Sequence, residues 1–255
     1  MTLRGIICDL GHTLILHTHG EDWTRIRPRM IRDLADYLQA NSDFQFDSIS
    51  FQNVFARQFS DYDRQRSVEF IEYSAEQILC TTLAELALSQ PDRKNLGEAL
   101  EAFFAYSETL CRAVPGLIET LVELRDRGLR LGLVSNASDE ANAQRLIDNH
   151  GLREYFDPIL VSAAQGIRKP NPRIFKPLLD SWRFEPAEVV MVGDTLGADV
   201  LGALNAGMHS VWVRIHAERP DNVENLKHLQ PDVTIDAFAE LPAAIVKLES
   251  VLRTG

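Results

Sequence analysis

The segment LRGIICD, at residues 3–9, determines the fold that the sequence predicts. It is a short, largely apolar run that ends in a carboxylate, which is the pattern of a buried parallel strand that stops at a polar residue. The same pattern recurs at residues 129–134, before Ser135-Asn136, and at residues 189–192, before Gly193-Asp194. We therefore expect three buried parallel strands, each followed by polar side chains.

Stretches of helical character accompany these strands, at residues 115–127, 138–149 and roughly 172–183. Gly128 and Gly151 are placed to end the first two helices. The alternation of strands and helices predicts an α/β fold with a doubly wound parallel sheet. In such sheets ligands bind beyond the carboxyl ends of the strands, so the polar residues that follow the strands should meet in one crevice.

Residues 16–112 differ, because they show helical periodicity without a convincing buried strand. The clearest helical pattern covers residues 68–88, and residues 91–97 are expected to link two helices. We predict a core domain made of residues 1–15 and 113–255, interrupted by an all-helical domain at residues 16–112.

The composition is typical of a globular chain, with 45% hydrophobic and 25% charged residues, enough to bury a proper core. The formal charge of −11 disfavours nucleic acid and anionic membranes as partners. Cys8, Cys80 and Cys111 are too few and too scattered for a disulfide framework or a metal knuckle, so we expect reduced thiols. We find no signal-peptide pattern and no apolar run long enough to span a bilayer, and expect a cytoplasmic location.

Four separated motifs stand near the predicted strand ends: CDLGHTL at 8–14, LVSN at 133–136, RKPNP at 168–172 and VGDTLGAD at 192–199. In this order and strand context they resemble the motifs of the haloacid dehalogenase superfamily. The resemblance covers essentially the whole chain outside the helical domain. It implies a Rossmann-like core, and it implies that the helical domain is a cap of the C1 type found in subfamily I, which closes over the crevice.

The resemblance also implies a catalytic site. Asp9 is the implied nucleophile, whose carboxylate attacks phosphorus and forms an aspartyl-phosphate. Mg²⁺ would be held by Asp9, Asp194 and the backbone carbonyl of Gly11, and Lys169 would help it to neutralise the transferring group. A carboxylate directly after an apolar strand is poorly placed without a cation, which favours a functional role for both aspartates.

Further residues would complete this site. Asp199 would orient metal-bound water or hold Lys169 in place. Ser135 and the backbone amide of Asn136 would donate hydrogen bonds to the oxygens of the transferring phosphoryl group. Thr13 and Lys169 are further candidates for binding the phosphate. Each also has an ordinary structural explanation, namely a turn residue for Thr13, a strand-end hydroxyl for Ser135 and a helix cap for Asn136.

The sequence departs from the family pattern at Gly11, where phosphatases of the family normally carry a second aspartate. That aspartate protonates the leaving oxygen and then deprotonates the attacking water, and such help is worth about 10²–10⁴ in rate. His12 stands where glycine is usual and could take over part of this acid–base role, because histidine titrates near neutral pH. The alternative is that His12 caps the turn and points elsewhere.

Gly11 leaves other activities of the superfamily open. Dehalogenases also lack this aspartate, but they generally lack the metal-binding fourth motif that this chain has at residues 192–199. Phosphonate-cleaving members need a cap lysine, and the insert offers only Lys94, in an expected loop. A catalytically weak binding or regulatory protein is a further alternative. The first choice is a Mg²⁺-dependent phosphatase acting on small phosphate monoesters.

The insert gives few indications of the substrate, which we expect to be a small phosphorylated molecule. His17, His19, Trp23 and Arg25 are candidates for the cavity entrance, with surface positions as the alternative. Arginines of the insert could also contact an anionic substrate, and the candidates are Arg57, Arg64 and Arg66. The alternative is that they form a solvated helix face. A homodimer also stays open, because an apolar helix face of the insert could pack internally or against a second copy.

Overall fold

The computed structural model describes residues 2–17, 23–41 and 45–254. The strands are β1 (Gly5–Cys8), β2 (Ile15–His17), β3 (Cys111–Ala113), β4 (Arg130–Ser135), β5 (Ile159–Val161), β6 (Val189–Gly193), β7 (His209–Val213) and β8 (Val233–Ile235). The helices are α1 (Trp23–Asn41), α2 (Ser48–Glu69), α3 (Ala75–Glu85), α4 (Arg93–Glu108), α5 (Leu117–Asp126), α6 (Glu140–Asn149), α7 (Ser162–Gln165), α8 (Lys176–Trp182), α9 (Leu201–Ala206), α10 (Pro220–Asn225) and α11 (Leu241–Thr254). Within these described ranges, no helix combines the length and the apolar character that crossing a membrane requires.

Six strands form one sheet in the order β5-β4-β1-β6-β7-β8, and every neighbouring pair is parallel. Helices flank this sheet, which confirms the predicted α/β fold. Every residue of the central strand β1 is buried, as its apolar sequence predicts. Cys8 at the end of β1 pairs with Leu133 of β4 and Val192 of β6. The three predicted strands therefore end side by side, at one edge of the sheet.

Two of the predicted core helices, at residues 115–127 and 138–149, correspond to α5 and α6. The third is divided, because Pro172–Ile174 forms a 3₁₀ turn before α8 begins. Proline at the start of each piece fits this break, since proline is tolerated at the first turn of a helix and not in its interior.

Residues 68–88 contain the end of α2, a non-helical segment at residues 70–74 and the whole of α3, so the expectation of one continuous helical pattern was wrong. Helix α2 ends before Phe70, whose backbone is left-handed with φ 55°. Helix α3 starts after Ser74, where Ser74 and Gln77 form a reciprocal capping box. A capping box satisfies two backbone N–H groups at a helix start, so this pair provides a local signal for a new helix.

The link between α3 and α4 covers residues 86–92, so it lies earlier in the chain than the predicted residues 91–97. Asp92 is the N-cap of α4, and its side chain accepts a hydrogen bond from the backbone N–H of Asn95 at 2.8 Å. Gly97 and Lys94 therefore lie in a helix rather than in a loop. The Asp92 cap outweighs the low helix propensity of one glycine, since a good cap is worth about 0.5–2 kcal/mol.

Helices α1 to α4 pack around a hydrophobic cluster of their own, which runs in sequence from Ile26 to Leu110 and includes Phe51, Phe55 and Phe103. Strands β2 and β3, short strands that the sequence analysis did not identify, pair antiparallel where the insert leaves and rejoins the core. The predicted domain boundaries fall within this strand pair, and the division into domains stays a prediction.

A second contact joins the insert to the core, away from β2 and β3. Ile71 pairs with Ile167 in an isolated antiparallel bridge. The backbone N–H of Glu72 donates to the carbonyl of Gly166 at 3.1 Å, and that of Arg168 donates to the carbonyl of Phe70 at 3.2 Å. The residue that precedes Lys169 is thus tied to the segment between α2 and α3.

Candidate active site

The polar residues that follow the central strands meet at the carboxyl edge of the sheet. Asp9 follows β1, Ser135 ends β4, and Asp194 follows β6. All three line one cavity of about 600 Å³, together with Lys169 and Asp199. The structure therefore brings together residues from all four motifs, at the edge where parallel sheets bind their ligands.

The Asp9 carboxylate is held by a contact at each oxygen. Its Oδ1 accepts a hydrogen bond from Lys169 Nζ at 2.7 Å, and its Oδ2 accepts one from Thr13 Oγ1 at 3.2 Å. Thr13 is fully buried and does not line the cavity, which corrects the prediction that it binds phosphate. Its hydroxyl orients the carboxylate because the turn after β1 folds back beneath Asp9, a geometry that the linear motif does not reveal.

Lys169 is buried, and its ammonium nitrogen lies close to three oxygen atoms. Nζ lies 2.7 Å from Asp9 Oδ1, 2.7 Å from Asp199 Oδ1 and 2.8 Å from the carbonyl oxygen of Val134. Burial by itself would lower the pKa of Lys169, but attraction to Asp199 and Asp9 outweighs burial and raises it. The side chain is therefore a fixed positive charge beside Asp9.

The side chain of Asn136 fixes the backbone at Lys169. Its Nδ2 donates to the Lys169 carbonyl at 3.0 Å, and its Oδ1 accepts from the Lys169 N–H at 2.9 Å. Asn136 and Ser135 both line the cavity. Asn136 is thus a positioning residue through its side chain, while its backbone amide and the Ser135 hydroxyl stay predicted donors to substrate.

Gly193 explains how Asp199 reaches Lys169. A Cβ atom placed on Gly193 would lie 2.2 Å from Asp199 Cγ, which is far inside van der Waals contact. The absence of a side chain lets the Asp199 carboxylate pack against the end of β6, where its Oδ2 accepts from the backbone N–H of Thr195 at 2.9 Å. The glycine before Asp194 is therefore a packing requirement of the site.

Asp194 is held by residues that the sequence analysis missed. Its Oδ2 lies 2.9 Å from Arg219 Nη1, and its backbone carbonyl accepts from Trp212 Nε1 at 2.8 Å and from Asn222 Nδ2 at 3.0 Å. These partners stand 18 to 28 residues further along the chain. They belong to no motif, and only the packing of β7 and α10 against the end of β6 brings them there.

Three carboxylates form a potential cation site. Asp9, Asp194 and Asp199 are buried, and each offers one oxygen within 4.8 Å of the others. Burial raises the pKa of Asp194 well above its ordinary value, and the charges of Asp9 and Asp199 raise it further. Burial also raises the pKa of Asp199 to about 6, although Lys169 opposes this shift.

The charge balance of this cluster fits a divalent metal. Among the described residues, Lys169 and Arg219 are the cations that form ion pairs with the three aspartates. One negative charge is left over when all three carboxylates are ionised, and a buried charge without a partner is costly. Mg²⁺ prefers oxygen ligands, so the donor set suits it, and Gly11 lines the same cavity.

His12 lines the cavity with its backbone in the left-handed region, at φ 60°. Its Nδ1 lies 3.2 Å from His216 Nε2, and its ring centroid lies 5.4 Å from that of His17. Burial, Arg219 and the two neighbouring histidines lower the pKa of His12 to about 3, so the ring is neutral near pH 7. A neutral imidazole does not carry the additional proton that a leaving alkoxide needs. The acid–base role of His12 stays a prediction.

The helical insert forms part of the cavity wall, through apolar residues and two arginines. This wall includes Arg27, Met30, Phe59, Arg66, Phe103 and Phe104. The three arginines predicted on α2 are separated by the structure, because Arg66 lines the cavity whereas Arg57 and Arg64 form exposed ion pairs with Glu85 and Asp61.

The residues predicted at the entrance and in the insert also separate. His17 lines the cavity, whereas Arg25 is exposed and does not line it. His19 and the side chain of Trp23 lie outside the described residues. The side chain of Lys94 is 81% exposed and pairs with Glu98 at 3.6 Å, so it is not placed for covalent chemistry in the cavity.

Comparison with known proteins agrees with the motifs. Residues 44–213 match the family described as "Haloacid dehalogenase-like hydrolase". The chain is 29% identical over 218 residues to "Pyrimidine 5'-nucleotidase YjjG" of Escherichia coli (strain K12), a match that covers 80% of this chain and 93% of that protein. It is 34% identical over 111 residues to "Glyceraldehyde 3-phosphate phosphatase" of Pyrococcus abyssi, covering 44% of each chain.

Among solved structures, the chain resembles a 2-haloacid dehalogenase from Pseudomonas syringae pv. Tomato DC3000. The TM-score is 0.68 at 22% identity, and the match covers 96% of this chain and 99% of that chain. At this level of identity the likeness concerns the fold alone.

Proposed function

The chain belongs to the haloacid dehalogenase-like hydrolase family, and from this premise we propose that it is a Mg²⁺-dependent phosphatase of small phosphate monoesters, with Asp9 as its nucleophile. The observation that carries the proposal is the cluster of three buried carboxylates, Asp9, Asp194 and Asp199, beside Lys169. The names of the two relatives, a nucleotidase and a phosphatase, support phosphate ester hydrolysis as the reaction class.

In the proposed reaction, a carboxylate oxygen of Asp9 attacks phosphorus and forms an aspartyl-phosphate. The bond from phosphorus to the ester oxygen breaks, and the released alcohol takes up a proton. Water then attacks the phosphorus of the intermediate, which releases inorganic phosphate and regenerates the Asp9 carboxylate. Contacts from Thr13 and Lys169 support this role, since they hold the carboxylate in one orientation before substrate arrives.

Positive charge is essential to this reaction, because an anionic nucleophile approaches an anionic ester. Lys169 supplies one fixed charge at Asp9. Asp9, Asp194 and the carbonyl of Gly11 would hold Mg²⁺, and the bound metal would neutralise charge on the transferring group. Ser135 and the Asn136 amide would donate hydrogen bonds to the same oxygens.

Carbon-centred dehalogenation is the alternative with the same nucleophile, and the carboxylate cluster argues against it. Dehalogenation of a small acid needs no metal at Asp194 and Asp199, whereas the charge balance of this cluster favours a divalent cation. The structural likeness to a dehalogenase carries no weight on this point, since it concerns the fold alone.

A direct test measures two products from the same preparation. Inorganic phosphate released from a panel of small phosphate esters is measured with Mg²⁺ and with a chelator, and chloride released from 2-chloropropionate is measured in parallel. The proposal predicts phosphate release that requires Mg²⁺, and no chloride release. Chloride release, or phosphate release that persists with the chelator, would contradict it.

A further inference from the structure

Besides Arg219, which pairs with Asp194, three guanidinium groups line the cavity that contains Asp9, and two of them are linked by one carboxylate. Arg27 lies on α1, Arg66 on α2, and Arg168 directly precedes Lys169 in the core. Asp63 Oδ2 lies 3.0 Å from Arg27 Nη2, and Asp63 Oδ1 lies 2.8 Å from Arg66 Nη2. We call Arg27, Arg66 and Arg168 the arginine array.

Tyr62 links Arg168 to the rest of the array. Its hydroxyl accepts hydrogen bonds from Arg66 Nη1 at 3.3 Å and from Arg168 Nη1 at 3.1 Å. Arg168 Nη1 also lies 3.1 Å from Glu72 Oε2, and this fully buried carboxylate accepts a further bond from Ser162 Oγ at 2.7 Å. The array is therefore a connected network that spans the insert and the core.

The array carries more positive than negative charge. Its three guanidiniums form ion pairs with two carboxylates in the described part of the chain, those of Asp63 and Glu72. Burial lowers the pKa of Arg168 to about 10, with Arg66 adding to the shift, yet the group stays charged at neutral pH. Each guanidinium has five N–H donors, and the contacts named here use only some of them.

The cavity has room for more than a phosphate group. Its volume of about 600 Å³ falls within the range of roughly 300–1,000 Å³ that is typical of sites for whole small molecules. Phe59, Phe103 and Phe104 add apolar wall from the insert. A substrate whose phosphate contacts Asp9 therefore has space to extend toward the insert.

We propose that the arginine array binds a second anionic group of the substrate, a carboxylate or a second phosphate. Guanidinium groups match the geometry of both anions because they donate two parallel hydrogen bonds. The inference rests on the proposed phosphatase activity, which places the reacting phosphate of the substrate at Asp9. It makes Arg27 and Arg66 specificity-determining residues and leaves the chemistry at Asp9 unchanged.

The test uses pairs of compounds that differ in the second anion. Phosphoglycolate and ethyl phosphate form a short carboxylate pair, 4-carboxyphenyl phosphate and phenyl phosphate a longer one, and fructose 1,6-bisphosphate and fructose 6-phosphate a bisphosphate pair. The ratio of kcat/KM within each pair is measured with Mg²⁺ for the wild type, Arg66→Gln and Arg27→Gln. Arg64→Gln is the matched control, because this arginine lies on the same helix, is 79% exposed and does not line the cavity.

We expect the wild type to prefer the member with two anions in at least one pair by about tenfold or more. Each array variant should reduce that preference roughly ten- to hundredfold, the range for losing a hydrogen bond to a charged group. Arg64→Gln should keep the preference. The compound pair whose kcat/KM ratio falls in the array variants shows whether the second anionic group is a carboxylate or a phosphate.

Binding to the Asp9→Asn variant, measured by titration calorimetry with the same pairs, gives a readout that does not need turnover. Equal affinity within every pair, or a preference that both array variants retain, would overturn the inference. The proposed function would still stand if Asp9-dependent phosphate release is observed. If no phosphate is released from any compound, the proposed function fails, and the binding ratios alone decide the inference.

Discussion

The ammonium nitrogen of Lys169 lies 2.7 Å from Oδ1 of Asp199, and both side chains are almost completely buried. With Mg²⁺ present, we expect Asp199→Asn to lower the free energy of unfolding by about 3 kcal/mol, because Lys169 loses one of its two buried carboxylate partners while the metal supplies additional positive charge to the same cluster. Turnover should fall about 10- to 100-fold, the usual cost of losing a group that supports a metal site. Urea unfolding and steady-state assays measure the two effects.

Asp180→Asn is the matched control for Asp199→Asn. Asp180 forms a 2.7 Å ion pair with Lys176, but both side chains are more than half exposed. Exposed pairs contribute about 0–1 kcal/mol, so this variant should unfold like the wild type. Equal destabilisation by the two substitutions would contradict the special role of the Lys169–Asp199 pair.

Gly11 has space for the aspartate that family phosphatases carry at this position. A Cβ atom on Gly11 would meet no neighbouring heavy atom within 4 Å, and its φ lies outside the left-handed region. The wild type should hydrolyse aryl phosphates faster than alkyl phosphates, because good leaving groups need little proton donation. Gly11→Asp should raise kcat on alkyl phosphates about tenfold or more, within the range for general acid catalysis.

Gly11→Asn separates the added acid from the added volume. It should leave the preference for aryl phosphates as it is in the wild type. Equal wild-type rates on both kinds of ester, or a folded Gly11→Asp variant without gain, would indicate that another group, such as His12, supplies the proton.

Gly193 must lack a side chain because Asp199 occupies the space where a Cβ would lie, at 2.2 Å. Gly193→Ala should destabilise the protein by about 1–3 kcal/mol, the cost of overpacking a buried site. Gly97→Ala, in helix α4, is the control, because a Cβ atom at Gly97 would meet nothing within 4 Å. This substitution should stabilise the protein by about 0.4–1 kcal/mol. Thermal unfolding of both variants tests whether the two substitutions change the stability of the protein in opposite directions.

The low pKa of His12, about 3, makes stability depend on pH. The unfolded chain binds a proton at this histidine near pH 6.5 and the folded chain does not, so the free energy of unfolding falls as pH decreases from about 6.5 toward 3. The contribution of this one group is at most about 1.4 kcal/mol per pH unit. His12→Asn should reduce the slope, because it removes the group that binds this proton. Identical slopes in wild type and His12→Asn would contradict the assignment.

The sequence allowed much of this architecture to be predicted, because its signals are local. An apolar run such as residues 3–8 indicates a buried strand without knowledge of its neighbours, and a polar residue at its end indicates the ligand edge. Asp9, Ser135 and Asp194 could be identified in this way, whereas Lys169 was predicted only from its place among the motifs of the family resemblance.

Other parts of the site could not be predicted, because they depend on which surfaces pack together. Arg219 reaches Asp194 only after β7 and α10 are in place, and Thr13 turns back beneath Asp9. Arg66 is one of three arginines that the sequence offers for anion contacts, but no pattern distinguishes it from Arg57 and Arg64. Arg27 and Arg66 come from two helices whose sequence patterns look like ordinary charged faces. Their joint position on the cavity wall follows from the packing of the insert.

The measurement that tests the central claim most directly is steady-state release of p-nitrophenol from p-nitrophenyl phosphate. It compares the wild type with Mg²⁺, the wild type with EDTA, and Asp9→Asn with Mg²⁺, with circular dichroism to check folding. We predict turnover that requires Mg²⁺ and falls to background in Asp9→Asn. Turnover that is unaffected by EDTA and by loss of the Asp9 carboxylate would contradict the account.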